Sequence, residues 1–210
     1  MSTQEETEKF EQELEGIRRL RRGVLYLLLT PLLIIAALVM GGNTDASVGG
    51  TEDVAAGVLF MVALVLVALA FSSLRASFKK LAAVVKGAGR GSTGVILVLV
   101  GVVIVIVGAF VGGVSLFNNE GFLITASLVL YLAGIIVAVV GFFLIGVGLY
   151  AVGTPYGNGM LKVGGTLVAI PLFLTPFIGL ILSYVGLGEI ESRLTSSAQA
   201  SAVNQTSRPP

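Results

Sequence analysis

Five stretches of the chain, residues 23–42, 54–74, 94–117, 122–149 and 163–187, contain no Asp, Glu, Lys or Arg. A hydrocarbon layer about 30 Å thick is crossed by roughly 20 apolar helical residues, so each stretch is long enough to span a bilayer. Within lipid every backbone N–H and C=O must be bonded internally, which leaves helices and closed barrels. These runs are continuously apolar and do not alternate with period two, and that selects helices. The pattern predicts an all-α fold, a polytopic transmembrane helix bundle of five spans.

Of the 210 residues, 55% are hydrophobic and 12% charged, whereas about a quarter of a soluble domain is charged. The apolar runs use nearly the whole length, so a second, soluble domain has no room. Three parts are expected: a cytoplasmic amphipathic helix over 1–22, a membrane domain over 23–190, and a disordered extracellular tail over 191–210. There is no Cys and no His, which removes disulfides, thiol nucleophiles, imidazole bases and the usual zinc or haem ligands. No cofactor and no metal is expected. The N-terminal Met1-Ser-Thr-Gln-Glu-Glu-Thr-Glu is acidic where a secretory signal is basic, so the first span is expected to stay in the membrane.

Charge gives the orientation. Lys9, Arg18, Arg19, Arg21 and Arg22 precede the first span, Arg75, Lys79, Lys80, Lys86 and Arg90 follow the second, and Lys162 follows the fourth. Arg193 and Arg208 alone fall on the other side, with Asp45, Glu52, Asp53 and the turn Asn118-Asn-Glu-Gly121. Because basic loops stay on the cytoplasmic side, the N-terminus is expected inside and the C-terminus outside. Lys162 carries the fourth loop's assignment by itself.

Phe10, Leu14, Ile17 and Val24 fall near one helical face, which predicts a helix lying on the inner membrane surface before the first span. Leu74, Phe78, Leu81 and Val85 repeat that design after the second span. Arg18, Arg19, Arg21, Arg22, Arg75, Lys79, Lys80 and Lys86 are therefore expected to contact anionic lipid, at about 1 kcal/mol for each charge near the surface. Topology and anchoring account for these charges, so no nucleic-acid partner is expected. Gly89-Arg-Gly-Ser-Thr-Gly94 matches a dinucleotide pattern in letters only, since that site needs a preceding strand.

Gly94, Gly101 and Gly108 recur every seven residues in the third span, with Gly112 after them, and Gly134, Gly141 and Gly148 repeat the interval in the fourth. Small faces let helix backbones approach in lipid. The short connection at Asn118 makes these two spans antiparallel neighbours, and a close hairpin is expected. Pro171, Thr175 and Pro176 mark the fifth span as kinked, because two missing backbone donors interrupt its ladder. The sequon at Asn204 is a candidate glycosylation site, given an external tail.

None of the five runs holds an ionisable residue, although coupled transporters and pumps place such groups in the membrane. The expectation is a multi-pass protein of the cell membrane that is not an enzyme. Its role would be structural, assembly or accessory, with lipids and a protein partner or a second copy around it; the alternative is an uncoupled facilitator or channel for a small uncharged solute.

Glu15-Gly-Ile-Arg-Arg-Leu-Arg-Arg-Gly-Val-Leu-Tyr26, Gly146-Val-Gly-Leu-Tyr-Ala-Val-Gly153, Lys162-Val-Gly-Gly-Thr and Phe177-Ile-Gly-Leu-Ile-Leu-Ser-Tyr-Val-Gly186 resemble an archaeal family of uncharacterised multi-pass membrane proteins, domain of unknown function 973. The resemblance implies an archaeal cell membrane and supplies no activity and no catalytic residue.

Overall fold

The computed structural model describes residues 3–41, 51–118, 121–170 and 174–206, with side chains over 9–40, 55–114, 122–170 and 174–200. Six helices succeed one another: α1 Thr3–Gly41, α2 Thr51–Ala82, α3 Gly89–Asn118, α4 Gly121–Gly153, α5 Gly159–Ala169 and α6 Thr175–Thr206. No strand occurs among the described residues. The protein is an all-α membrane protein, and α1 to α4 are each long and apolar enough to cross a bilayer. With 39 residues, α1 measures about 58 Å at 1.5 Å per residue. The apolar part beyond Gly23 can span, and the part carrying Glu13 to Arg22 stands outside.

Consecutive helices pack antiparallel. Gly16 and Gly23 of α1 lie against Leu81 and Leu74 of α2, and the Ser73 hydroxyl donates to the Arg19 carbonyl at 2.8 Å. Along α3 and α4, Gly94 faces the Gly141 carbonyl and Gly101 faces Gly134 and Ala138. Phe78 fills the space between these two hairpins. It is fully buried, and its ring covers Gly91 and reaches Gly148.

The expected fifth span is instead two helices folded back on each other. Going down α4, Gly153 lies against Lys162, Tyr150 against Gly165 and Gly146 against Ala169, so α5 runs antiparallel to α4. On its other side Val168 meets Gly179, Gly164 meets Ser183, and Leu161 meets Gly186, so α6 returns beside α5. The 11 residues of α5 reach about 16 Å, half the thickness of a hydrocarbon core. The physical reason is proline chemistry. Ile170 precedes Pro171 and is extended, at φ −97° and ψ 101°, the region to which a following proline drives a residue. Pro176 sits in the first turn of α6, where no intrahelical donor is needed. Thr175 donates its hydroxyl to the Ile170 carbonyl across the break. Pro171 itself lies outside the described residues. A reversal therefore replaces the expected kink, four helices rather than five among the described residues are long and apolar enough to cross a bilayer, and α6 leaves the bundle at the end where α1 begins.

Two further expectations change. Leu74, Phe78, Leu81 and Val85 are buried, with Ile17, Leu20 and Val24, in one apolar core. That stripe faces protein, not the membrane surface, because α1 runs straight through its polar segment and covers it. The tail expected to be disordered from 191 continues α6 to Thr206. There Thr195, Ser196 and Ser197 return their hydroxyls to the carbonyls of Glu191, Ser192 and Leu194, so the polar side chains are absorbed locally. Asn204 lies in this helix, which leaves from the N-terminal end of the bundle and not the opposite one.

The core is concentrated at that end, where Ile145, Leu149, Val152, Leu161, Leu187 and Ile190 also pack. Toward the other end large apolar side chains point outward, with Leu38 69%, Phe110 73% and Phe122 82% exposed. Such a surface is stable only in lipid or against another apolar surface.

Candidate functional site

The ion pairs among the described residues gather at the end where α1 begins, in a collar with α1 as its hub. Glu15 of α1 takes Arg19 at 2.7 Å and Lys80 of α2. Glu191 of α6 takes Arg18 at 2.9 Å and Arg21 at 3.1 Å, and the Arg21 guanidinium lies 4.6 Å from the centroid of the Tyr184 ring, within cation–π range. Glu13 of α1 accepts from the Tyr156 hydroxyl in the α4–α5 turn. Three elements distant in sequence are thus tied to one helix.

A second node ties α5 to α6. The turn before α5 needs Gly157 in the left-handed region, at φ +60°, which is where glycine is at no steric disadvantage. It presents Asn158, which is 3% exposed. The Asn158 Oδ1 caps α5 by accepting from Leu161 N at 2.8 Å, while Nδ2 donates to the Gly186 carbonyl at 3.2 Å and to Glu189 at 2.9 Å. A capping side chain commonly stabilises its helix by about 1 kcal/mol. This one also fixes the register of the returning helix.

Two groups in this extramembrane collar have displaced acidities. The hydrogen bond from Lys80 holds the Glu15 carboxyl below its ordinary 4.5, with Arg19 assisting. Burial, then the hydrogen bond to the Glu13 carboxylate, pushes the Tyr156 hydroxyl well above its ordinary 10.0. Both shifts favour the forms that make the ties at neutral pH.

Arg18, Arg21, Arg22, Leu25, Tyr184 and Glu191 line an open cleft of about 290 Å³. Three arginines and one carboxylate line it, and Arg21 Nε is buried without an acceptor. The surroundings favour anions over cations. Among the residues expected to touch lipid, Arg18, Arg19, Arg21 and Lys80 are therefore engaged within the protein. Arg22, Arg75, Lys79 and Lys86 are exposed.

The glycines singled out in the sequence lie along the α3–α4 seam. A Cβ added at Gly94, Gly101, Gly134 or Gly141 would come within 2.8 Å of backbone on the opposite helix. At Gly108 it would meet Tyr131 N at 3.0 Å, at Gly112 the Ser127 hydroxyl at 3.1 Å, and at Gly148 Gly91 Cα at 2.7 Å. The G-x-G-x-x-G letters are the opening turns of α3, with Gly91 under Phe78 and Gly94 on α4.

Sequence reasoning missed Tyr156, Asn158, Glu189 and Glu191. Asn158 between two glycines carried a capping signal ahead of α5. Glu191 carried none, because its partners are on another helix, and Glu189 carried only its pairing four residues on with Arg193, not its bond to Asn158.

A family model, described as a protein of unknown function, matches residues 13–210. The match takes in the collar and every helix after α1. No curated protein and no solved structure matches the chain.

Proposed function

The chain belongs to the family described as Protein of unknown function (DUF973), and within it we propose a structural, assembly or accessory component of the cell membrane that does no chemistry itself. One observation carries this reading. Of the five acids whose side chains are described, Glu11, Glu13, Glu15, Glu189 and Glu191, all but Glu11 are committed to fastening one element to another. Groups held in that way stabilise a scaffold and are poorly placed to exchange protons with a substrate. The basic end would face the cytoplasm, since every described Lys and Arg from Lys9 to Arg193 lies there. It would offer the projecting parts of α1 and α6 to a partner, and the outward apolar faces to lipid or a second copy.

The broken helix supports a second reading. Half-length helices that turn back within the membrane line the pathways of many transporters, and the α5–α6 turn could admit a small uncharged solute. Purification from native membranes under mild detergent, followed by liposome reconstitution, separates the two. Reproducible co-purification of a partner supports the scaffold. A partnerless protein that confers solute flux overturns it in favour of the facilitator.

A further inference from the structure

We propose that the groove between α2 and α3 binds one anionic phospholipid, its phosphate held by Arg75 and Lys79 and an acyl chain lying along Ala68, Phe71 and Leu99. The groove is open to its surroundings, has a volume of about 540 Å³ and is lined by these residues together with Ser72 and Ala76. Its two ends differ in chemistry. Phe71, Arg75 and Lys79 follow at intervals of four, so they share one face of α2. The uncharged stretch of α2 ends at Leu74, which puts both charges just past the hydrocarbon boundary and the apolar lining below it.

These two cations stand apart from their neighbours. Lys80, next in sequence, turns toward α1 and is paired with Glu15, while Arg18, Arg19 and Arg21 each have a carboxylate. Arg75 and Lys79 are exposed, and no ion pair joins either to a described carboxylate. Like charges four residues apart on a helix repel, and an anion between them would relieve that repulsion with charge-assisted hydrogen bonds. A small soluble anion would leave the lower, apolar part of the groove uncovered. An amphiphile whose charge and chain are stacked in the same order covers both. The inference requires only that the bundle sit in a bilayer, and it stands whether the protein is a scaffold or a facilitator.

Native mass spectrometry of the full-length protein in neutral detergent, mixed with phosphatidylglycerol or phosphatidylcholine, tests it. One phosphatidylglycerol should be retained in preference to phosphatidylcholine. The double variant Arg75→Gln/Lys79→Gln should hold it roughly thirtyfold less well, two surface charges being lost. Lys9→Gln/Arg90→Gln removes the same charge elsewhere at the same end and should retain it fully. Leu99→Trp fills the groove with no change of charge and should also weaken retention, so the test survives a folding defect in the double variant. Equal retention of the two lipids, equal losses in the two double variants, or displacement of the lipid by inorganic phosphate would each overturn the proposal.

Discussion

Arg21 Nη1 lies 3.1 Å from Glu191 Oε2, joining residues 170 apart in sequence. The pair links the base of α1 to α6 just after α6 emerges from its packing on α5. Since Glu191 also holds Arg18, one carboxylate closes the ring of helices. The contact requires the emerging end of α6 to share a side with the N-terminal segment.

Neutralising that carboxylate should loosen the closure. Glu191→Gln is expected to cost about 1–2 kcal/mol, the range for part-buried hydrogen bonds to charged groups after solvent screening. Thermal unfolding in detergent would measure it. An unchanged melting temperature would show that the bridge contributes nothing to stability.

The sidedness can be read directly, because the chain has no cysteine and single ones can be placed at will. Gln12→Cys and Ser196→Cys should react with a membrane-impermeant maleimide from the same face of sealed vesicles, and Phe122→Cys from the other. Labelling of residues 12 and 196 from opposite faces would restore a fifth crossing and sink the hairpin.

In the α3–α4 seam a single methyl group should matter. Gly101→Ala puts a Cβ 2.6 Å from Ala138 N and 2.7 Å from the Gly134 carbonyl, so the helices must move apart, at roughly 1–3 kcal/mol for overpacking. Gly113→Ala meets nothing within 4 Å and should be neutral or stabilising by up to about 1 kcal/mol through helix propensity. A similar response in both would show that the seam is not the close contact.

The collar should respond to pH in two opposite windows. Glu15 is depressed below its ordinary 4.5, so its stabilisation is complete above that value and is lost as pH falls through the lower folded pKa. Tyr156 is raised above its ordinary 10.0, so its stabilisation is complete below 10.0 and is lost as pH rises beyond it. Melting temperature followed against pH should fall more steeply in acid for the parent than for Glu15→Gln. It should fall more steeply in alkali for the parent than for Tyr156→Phe. Parallel curves in either window would remove that group from the account.

The four long helices were legible because lipid imposes one simple requirement, about twenty uncharged helical residues, and the runs over 23–42, 54–74, 94–117 and 122–149 meet it. The glycines of α3 and α4 were legible through their interval of seven, since a packing face must repeat with the helix. Residues 163–187 satisfied the same length requirement and yet reverse, because hydropathy measures how apolar a segment is and not which way it runs. The signal that distinguishes them is local: Ile170 before Pro171, and Pro176 where a helix can start. By that signal Arg193 joins the other basic residues at one end, and the sidedness no longer depends on Lys162 alone.

Most of the collar had no one-dimensional signature. Glu191 pairs with Arg18 and Arg21 only because α5 and α6 fold back, and nothing near Glu191 announces a partner on the first helix. Asn158 was the exception, its cap being written within three residues of itself. Interactions along one helix were open to the sequence, and those between the first and last helices were not.

The reversal between α5 and α6 also bears on how the chain enters a membrane. If the basic end faces the cytoplasm, as proposed, and that hairpin dips in and returns, only two connections need to be carried across during synthesis, one between Gly41 and Thr51 and one between Asn118 and Gly121. Neither contains a basic residue, so an inside-negative membrane potential does not oppose their passage. In that orientation every described arginine and lysine stays on the ribosome's side, and two helical hairpins inserted in succession suffice to build the whole bundle.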